Sequence, residues 1–92
     1  MFVSVGYGNM VNVEKILGIS AYNTAPIKRR VASAKKNNIC IDMTMGRTTS
    51  AVIFMQDNYI ILSANSTEAI AKKIEKTTVY KFDKANGCFK KE

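Results

Sequence analysis

Two apolar runs that flank a short polar turn constrain the fold of this chain most strongly. Residues 51–55 are Ala-Val-Ile-Phe-Met and residues 59–62 are Tyr-Ile-Ile-Leu, with Asp57 and Asn58 between them. Asp and Asn are frequent in tight turns, so the pattern predicts a β-hairpin. Because both runs are apolar on both faces, we expect these strands to lie in the centre of a sheet or to be covered by another subunit.

Shorter segments before and after this hairpin predict further strands. Alternating apolar residues predict strands at 3–5, 10–11, 16–19 and 39–45, the last with one apolar face. The glycine-rich segment 6–9 lies between the first two and predicts a bend with positive φ.

Two helices are predicted, one before the apolar hairpin and one after it. Thr24 and Pro26 indicate the start of the first, because threonine can cap free amides and proline is tolerated in a first turn. Asn37 and Asn38 indicate its end. Residues 65–68, Asn-Ser-Thr-Glu, indicate the start of the second helix. The order of elements predicts an α+β domain, a small antiparallel sheet with two helices.

The length of the chain fits one domain. A lone chain of 92 residues buries roughly 60% of its unfolded surface, so self-association is a natural source of further stability. Residues 1–77 are predicted to form the domain, and residues 78–92 a basic C-terminal extension that is turn-like at 83–87 and loose from Cys88 onward. We expect no repeat and no linker within the chain.

The residue types exclude most catalytic and metal chemistry. Histidine is absent, which removes the usual general base and the commonest metal ligand. The only two cysteines, Cys40 and Cys88, lack a metal-binding spacing, and Cys40 is expected to be a reduced core residue. We therefore predict that the protein is not an enzyme and that it has no catalytic residue, no metal, no cofactor and no small-molecule substrate.

The start of the chain and its hydropathy bear on location. The first residues do not combine a charged region with a long apolar stretch, so no signal peptide is predicted. No apolar run approaches the ~18 residues that a membrane span needs. We expect a cytoplasmic protein without a membrane partner.

Positive charge is concentrated in one segment. The chain has a formal net charge of +7, and residues 24–38 contain five cations and no acid. Such a segment creates a local positive field that favours a polyanion, either a nucleic acid or an anionic membrane. The loop Gly46-Arg47-Thr48-Thr49 adds a guanidinium, two hydroxyls and loop amides, which are donors suited to a phosphate.

Several specific binding modes are disfavoured. Segment 6–9 precedes no helix and lacks a third glycine, so it does not predict a dinucleotide site. No strand carries the paired aromatic residues of an RNA-stacking sheet, and no helix-turn-helix pair is present. Asp42 is a lone carboxylate that we expect to anchor a basic side chain or loop amides. What remains is binding directed at a nucleic-acid backbone.

Five short segments with constant spacing add a more specific indication. They are Gly6-Tyr-Gly-Asn9, Ala25-Pro-Ile-Lys-Arg29, Ile41-Asp-x-Thr-x-Gly-Arg-x-Thr49, Ala51-Val52 and Ile61-Leu-Ser-Ala64. Together they resemble the RemA family of small bacterial regulators, without gaps from about Phe2 to Ile74. The resemblance implies a DNA-binding transcriptional regulator of biofilm-matrix genes. It also implies a ring-shaped homo-oligomer, for instance an octameric ring, that bends double-stranded DNA around its outside and is associated with the nucleoid.

The resemblance also implies roles for particular residues. The first arginine of the family's DNA-contacting loop falls on Arg47, whereas two other family arginines fall on Thr48 and Ser50. A further family arginine falls on Lys15, and a proline tied to subunit assembly falls on Pro26. The loss of two guanidiniums beside Arg47 removes phosphate contacts that hydroxyls do not replace.

Four residues are therefore the candidates for contact with DNA. Arg47 and Lys15 are the first choices, and Lys28 and Arg29 on the basic first helix are the second. The same basic segments would also suit a structural RNA-binding or ribosome-associated protein, which is the alternative interpretation.

Overall fold

The predicted apolar hairpin forms the middle of a four-stranded sheet. A computed structural model describes residues 1–76, 80–83 and 88–91. Its strands are β1 Phe2–Gly6, β2 Asn9–Asn12, β3 Ile16–Ala21, β4 Cys40–Asp42, β5 Ala51–Met55, β6 Ile60–Ser63, β7 Tyr80–Asp83 and β8 Cys88–Lys91. Its helices are α1 Ala25–Lys36 and α2 Thr67–Glu75, and single 3-10 turns cover Val13–Lys15 and Gln56–Asn58.

The strand order of the central sheet is β3-β5-β6-β4. The two predicted central strands, β5 and β6, pair antiparallel with Ile53 opposite Ile61. β4 pairs parallel with β6, and Ile41 lies opposite Ile61. The expectation of an antiparallel sheet is therefore wrong at this edge. The reason is that α1 connects β3 to β4 as a crossover, which returns the chain to the end of the sheet where β3 began.

The sheet is covered on both faces, which explains why its central strands are apolar on both sides. Helix α1 covers one face. Its buried Val31 and Ala34 pack on Val52, Ile60 and Leu62.

The β1–β2 hairpin and α2 cover the other face and bury the larger core. That core contains Val3, Val5, Val11, Val13, Ile19, Ala51, Ile53, Ile61, Ile70 and Ile74. Val52 points to α1 while its neighbours Ala51 and Ile53 point to this larger core, as the two-residue period of a strand requires.

The helix ends agree with the predicted positions but not with every predicted contact. Thr24 precedes α1, yet its side chain makes no capping hydrogen bond, and its carbonyl accepts from the Lys28 amide at 3.0 Å. Ser66 does cap α2, since its Oγ accepts from the Ala69 amide at 3.1 Å. Asn38 ends α1 in left-handed geometry with φ of 59°, as predicted.

Two segments differ from their sequence-based description. The strand predicted at 39–45 is limited to β4, and the chain leaves the sheet after the Met43 amide, which donates to the Leu62 carbonyl at 2.9 Å. Residues 88–91, expected to be loose, form β8 and pair antiparallel with β7. Predictions for residues 77–79, 84–87 and 92, including the boundary at residue 77, lie outside the described residues. No helix within the described ranges is long and apolar enough to cross a membrane.

Candidate nucleic-acid interface

The loop that carries Arg47 is anchored by Asp42 at the end of β4. The Oδ1 atom of Asp42 accepts two hydrogen bonds from Thr44, one from its amide at 2.9 Å and one from its hydroxyl at 2.6 Å. Thr44 is 2% exposed, which is unusual for a loop threonine and shows that it belongs to the core side of the loop. The prediction that Asp42 anchors loop amides is confirmed.

A tight turn leads from Thr44 to Arg47. The Arg47 amide donates to the Thr44 carbonyl at 3.0 Å. The two residues between them have positive φ, 54° at Met45 and 79° at Gly46. Glycine adopts this geometry without strain, whereas a long side chain such as that of Met45 rarely does. The hydrogen bonds of Thr44 hold a turn that Met45 alone would not favour.

The charge of Asp42 is part of this anchor. The hydrogen bond from the Thr44 hydroxyl, followed by that from its amide, lowers the pKa of the Asp42 carboxyl below its ordinary value. The carboxylate is therefore ionised at neutral pH, and both hydrogen bonds to it are charge-assisted.

The Arg47 side chain is exposed and lies over an aromatic ring from another element. Its guanidinium carbon is 5.4 Å from the centroid of the Tyr7 ring. Tyr7 is 53% exposed and has a φ of 53° in the turn between β1 and β2. An exposed contact of this kind contributes about 0.5–1 kcal/mol, enough to favour one orientation of the arginine.

Hydrogen bonds of the buried Ser63 hydroxyl fix the Tyr7 turn relative to the sheet. The hydroxyl of buried Ser63 donates to the Val5 carbonyl at 2.7 Å and accepts from the Asn65 amide at 3.1 Å. Gly6 has a φ of 106°, and a Cβ there would lie 3.2 Å from the Asn65 Oδ1 atom. The turn therefore approaches the end of β6 as closely as a glycine allows.

These contacts define one end of the central sheet, which we call the arginine end. It comprises the turn 6–9 and the loop 43–50, next to the last residues of β3 and β6 and the first of β5. The beginning of α1 reaches the same end, because the Tyr22 amide donates to the Ser50 carbonyl at 3.2 Å. Lys28 lies near it, with its Nζ 5.8 Å from the centroid of the Tyr22 ring.

Lys15 lies at the opposite end, which we call the lysine end. This end comprises the turns Val13–Lys15 and Gln56–Asn58, since Ile16 pairs with Met55. The six residues of β3 rise about 3.4 Å each, so they separate the two ends by roughly 20 Å. Within one subunit, the two first-choice residues for DNA contact are therefore not brought together.

A shallow groove of about 360 Å³ borders Lys15. Ile41 and Tyr59, at 42% and 44% exposed, are large apolar residues that remain accessible there. The other lining residues are Met55, Gln56, Asp57 and Ile61.

The basic helix α1 presents its charge to solvent. Lys28, Arg29, Arg30, Lys35 and Lys36 are all exposed. Arg30 lies 5.9 Å from the Phe54 ring centroid, and no ion pair joins any of the five to a described carboxylate. Pro26 is also exposed, in the first turn of the same helix. The positive field predicted from the sequence therefore lies on the outer side of α1, over the sheet face that this helix covers.

Sequence reasoning did not identify Tyr7 or Thr44 as part of the arginine end. Forty positions separate Tyr7 from Arg47, and no periodic pattern links them. Thr44 alternates with apolar residues in the sequence, a pattern that predicts the polar face of a strand at 39–45. The signal that could have found it was the Asp-x-Thr spacing, which is common in turns where an aspartate accepts from the residue two positions later.

The described residues offer little support for metal binding or for a nucleophilic cysteine. They contain no group of three or more Asp, Glu, His or Cys side chains that could hold a metal ion. Cys40 is a free, half-buried cysteine beside the α1 core, in agreement with its predicted role. Burial raises the pKa of its thiol, so it is a poor nucleophile at neutral pH.

Comparison with known proteins identifies the family. Residues 2–74 match the model of the family described as RemA-like, extracellular matrix regulatory protein A-like. Relatives from Bacillus cytotoxicus and Bacillus mycoides, each named "Putative regulatory protein", are 42% identical over 73 residues, which cover 79% of this chain and 84% of each relative. The chain therefore belongs to the RemA-like family. The family and the names of these relatives support a regulatory role rather than an enzymatic one.

Proposed function

We propose that this protein is a regulator that binds double-stranded DNA through repeated copies of the arginine end in a homo-oligomer. The observation that carries the proposal is the exposed Arg47 guanidinium, held by a tight turn and an aromatic ring and free of any described carboxylate partner. A guanidinium that is both oriented and unpaired is suited to a phosphate oxygen.

The apolar side chains that a single subunit leaves exposed support self-association. Phe2 and Met10 lie on the outer face of the β1–β2 hairpin, Leu17 lies on β3, and Ile41 and Tyr59 border the groove at the lysine end. Large apolar side chains left exposed next to one another are typical of a surface that contacts another subunit. A ring of such subunits multiplies one cationic loop into many without any new contact type. Lys15 would join the same DNA contact if the ring places the lysine end of one copy near the arginine end of another.

Several finer properties belong to the same proposal. We expect DNA to bend around the outside of the ring, with the bending energy offset by distributed Arg and Lys contacts. The matrix regulation in the family's description supports biofilm-matrix genes as targets. We accordingly expect a cytoplasmic, nucleoid-associated protein.

The test is a salt titration of binding to a fluorescent DNA duplex. Arg47→Ala should weaken binding at least about tenfold, on any sequence, and should flatten the dependence of log K on log salt. Lys72→Ala is the matched control, because it removes one exposed charge from α2 and should change neither quantity by much. Unchanged affinity in Arg47→Ala would remove Arg47 from the interface.

The other candidates are ranked by the same titration. We expect Lys15→Ala to follow Arg47→Ala in size, and Lys28→Ala and Arg29→Ala to have smaller effects. Structured RNA added as competitor at fixed salt separates DNA binding from the alternative of an RNA-binding or ribosome-associated protein. Preferential displacement of duplex by RNA would favour that alternative.

Assembly is tested separately by light scattering. Pro26→Ser should loosen the first turn of α1 and lower the particle mass, because proline fixes the backbone at the exposed start of this helix. Arg47→Ala should leave the mass unchanged. An unaltered mass in Pro26→Ser would count against the assembly role of Pro26.

A further inference from the structure

We propose that Asp42 and Tyr7 are positioning residues for Arg47 and that they set the affinity of the arginine end for phosphate. This inference rests on the proposed function, since it concerns the same guanidinium. Neither residue needs to contact DNA. One orients the backbone of Arg47, and the other orients its side chain.

The first step concerns the backbone. Thr44 donates two hydrogen bonds, from its amide and its hydroxyl, to a single carboxylate oxygen of Asp42, at 2.9 and 2.6 Å. The Thr44 carbonyl then accepts from the Arg47 amide at 3.0 Å. Asp42 therefore acts on Arg47 through two successive hydrogen-bonded links. Without the carboxylate, the turn would lose its anchor while keeping the unfavourable positive φ of Met45.

The second step concerns the side chain. Tyr7 presents a ring 5.4 Å from the Arg47 guanidinium carbon, and the Ser63 hydroxyl fixes the hairpin that bears this ring. The face of a ring has no lone pairs, so a contact with it leaves the N–H donors of the guanidinium available. A carboxylate in the same place would occupy two of these donors. An aromatic partner can therefore orient the arginine without competing with a phosphate.

The expected consequence is a lower entropic cost of binding. An arginine side chain without supporting contacts loses conformational entropy when it contacts a phosphate. Arg47 has already lost part of this entropy in the unbound protein, because its turn and the Tyr7 ring restrict it. We expect loss of either support to weaken DNA binding by about fivefold. The effect should be present only when the arginine itself is present.

Double-mutant cycles with Arg47→Ala test the inference, with duplex affinity as the readout. Thr44→Val removes the hydroxyl bond at constant shape, and Thr44→Ser should restore it. Asp42→Ala is a second test of the same link, and the side chain that it removes is exposed and lies outside the core. Tyr7→Leu removes the ring, and Tyr7→Phe should restore the contact. Circular dichroism and particle mass establish that each variant is folded and assembled.

Each outcome decides something. Losses of about fivefold in Thr44→Val and Tyr7→Leu, rescued by Ser and Phe and absent in the Arg47→Ala background, support the inference. Equal losses in both backgrounds overturn it, because they indicate direct contact or general destabilisation. Unchanged affinity in these variants while Arg47→Ala still weakens binding overturns the inference and leaves the proposed function standing. No effect of Arg47→Ala itself overturns both the inference and the proposed contact.

Discussion

Arg47 and Lys15 lie at opposite ends of the same sheet and are supported to very different degrees. Arg47 follows a turn anchored by Asp42 and Thr44, and its side chain lies over Tyr7. Lys15 ends a single 3-10 turn beside a shallow groove with exposed apolar sides. The difference indicates that the arginine end holds a positive charge in a fixed place. The lysine end, with its apolar groove, is better suited to contact another protein surface, and Lys15 lies at the edge of that groove.

The two ends also differ in how they tolerate unusual backbone geometry. At the lysine end, positive φ falls on Asp57 and Asn58, residue types that adopt it readily. At the arginine end it falls on Tyr7 and Met45, which do not, and on the neighbouring glycines. The less suitable residues are therefore found at the end whose turns are held by side-chain hydrogen bonds from Thr44 and Ser63. Supporting contacts, rather than local preference, therefore maintain the arginine end.

Among the substitutions that test this comparison, Ser63→Ala should lower the free energy of unfolding the most. The substitution leaves the buried Val5 carbonyl and the half-buried Asn65 amide without the Ser63 hydroxyl as their partner. We expect the free energy of unfolding to fall by about 2–3 kcal/mol, measured by urea denaturation. Amide hydrogen exchange should increase at the arginine end and not at the lysine end.

Ser20→Ala is the matched control for that measurement. Ser20 is half-buried, and among the described residues its hydroxyl bonds only to the neighbouring Ala21 carbonyl, at 3.2 Å. We expect a change within about 0.5 kcal/mol. If both variants lost the same stability, the Ser63 hydroxyl would not be a specific tie between β1 and β6.

Asp42→Asn should cause the next largest loss of stability, and the size of this loss should depend on pH. The folded-state pKa of Asp42 is lowered, so the carboxylate contributes stability above its unfolded pKa, about 3.9, and this contribution is lost as the pH falls through the folded value. Because the side chain is exposed and water screens it, we expect a loss of only about 1 kcal/mol at pH 7. The difference between wild type and variant, measured by urea denaturation, should stay constant from pH 7 to about 5 and disappear at lower pH. A difference that persisted at low pH would assign the effect to something other than the charge.

The layered fold was largely predictable because its signals are local. The apolar hairpin of β5 and β6 required two covered faces, and the structure supplies α1 on one and the larger core on the other. The parallel pairing of β4 was not predicted, because it depends on which end of the sheet α1 returns to. No residue within α1 or β4 carries that information.

The candidate site was predictable in its charge but not in its geometry. The position of Arg47 in a loop followed from Gly46 and the neighbouring hydroxyls. Its contact with Tyr7 did not, since the two meet only after β1 and β2 fold onto the sheet. The strand predicted at 39–45 ended early for the same kind of reason, because Thr44 bonds to Asp42 instead of continuing the pairing with β6.

Asn58→Gly should have the smallest effect and should act at the lysine end alone. Asn58 has a φ of 67°, is exposed and lies in the short connection where the Met55 amide donates to the Tyr59 carbonyl at 2.9 Å. Glycine adopts this φ with less strain than asparagine but loses more freedom on folding, so we expect a net gain of only about 0.5 kcal/mol in urea denaturation. Asn23→Gly is the control, because Asn23 is also exposed but lacks a positive φ and should gain no stability.

The DNA affinity of Asn58→Gly and its salt dependence should remain those of the wild type, because the arginine end lies roughly 20 Å away. A change in DNA affinity from this substitution would show that the lysine end affects DNA binding at the arginine end. It would contradict the view that the two ends act independently within one subunit.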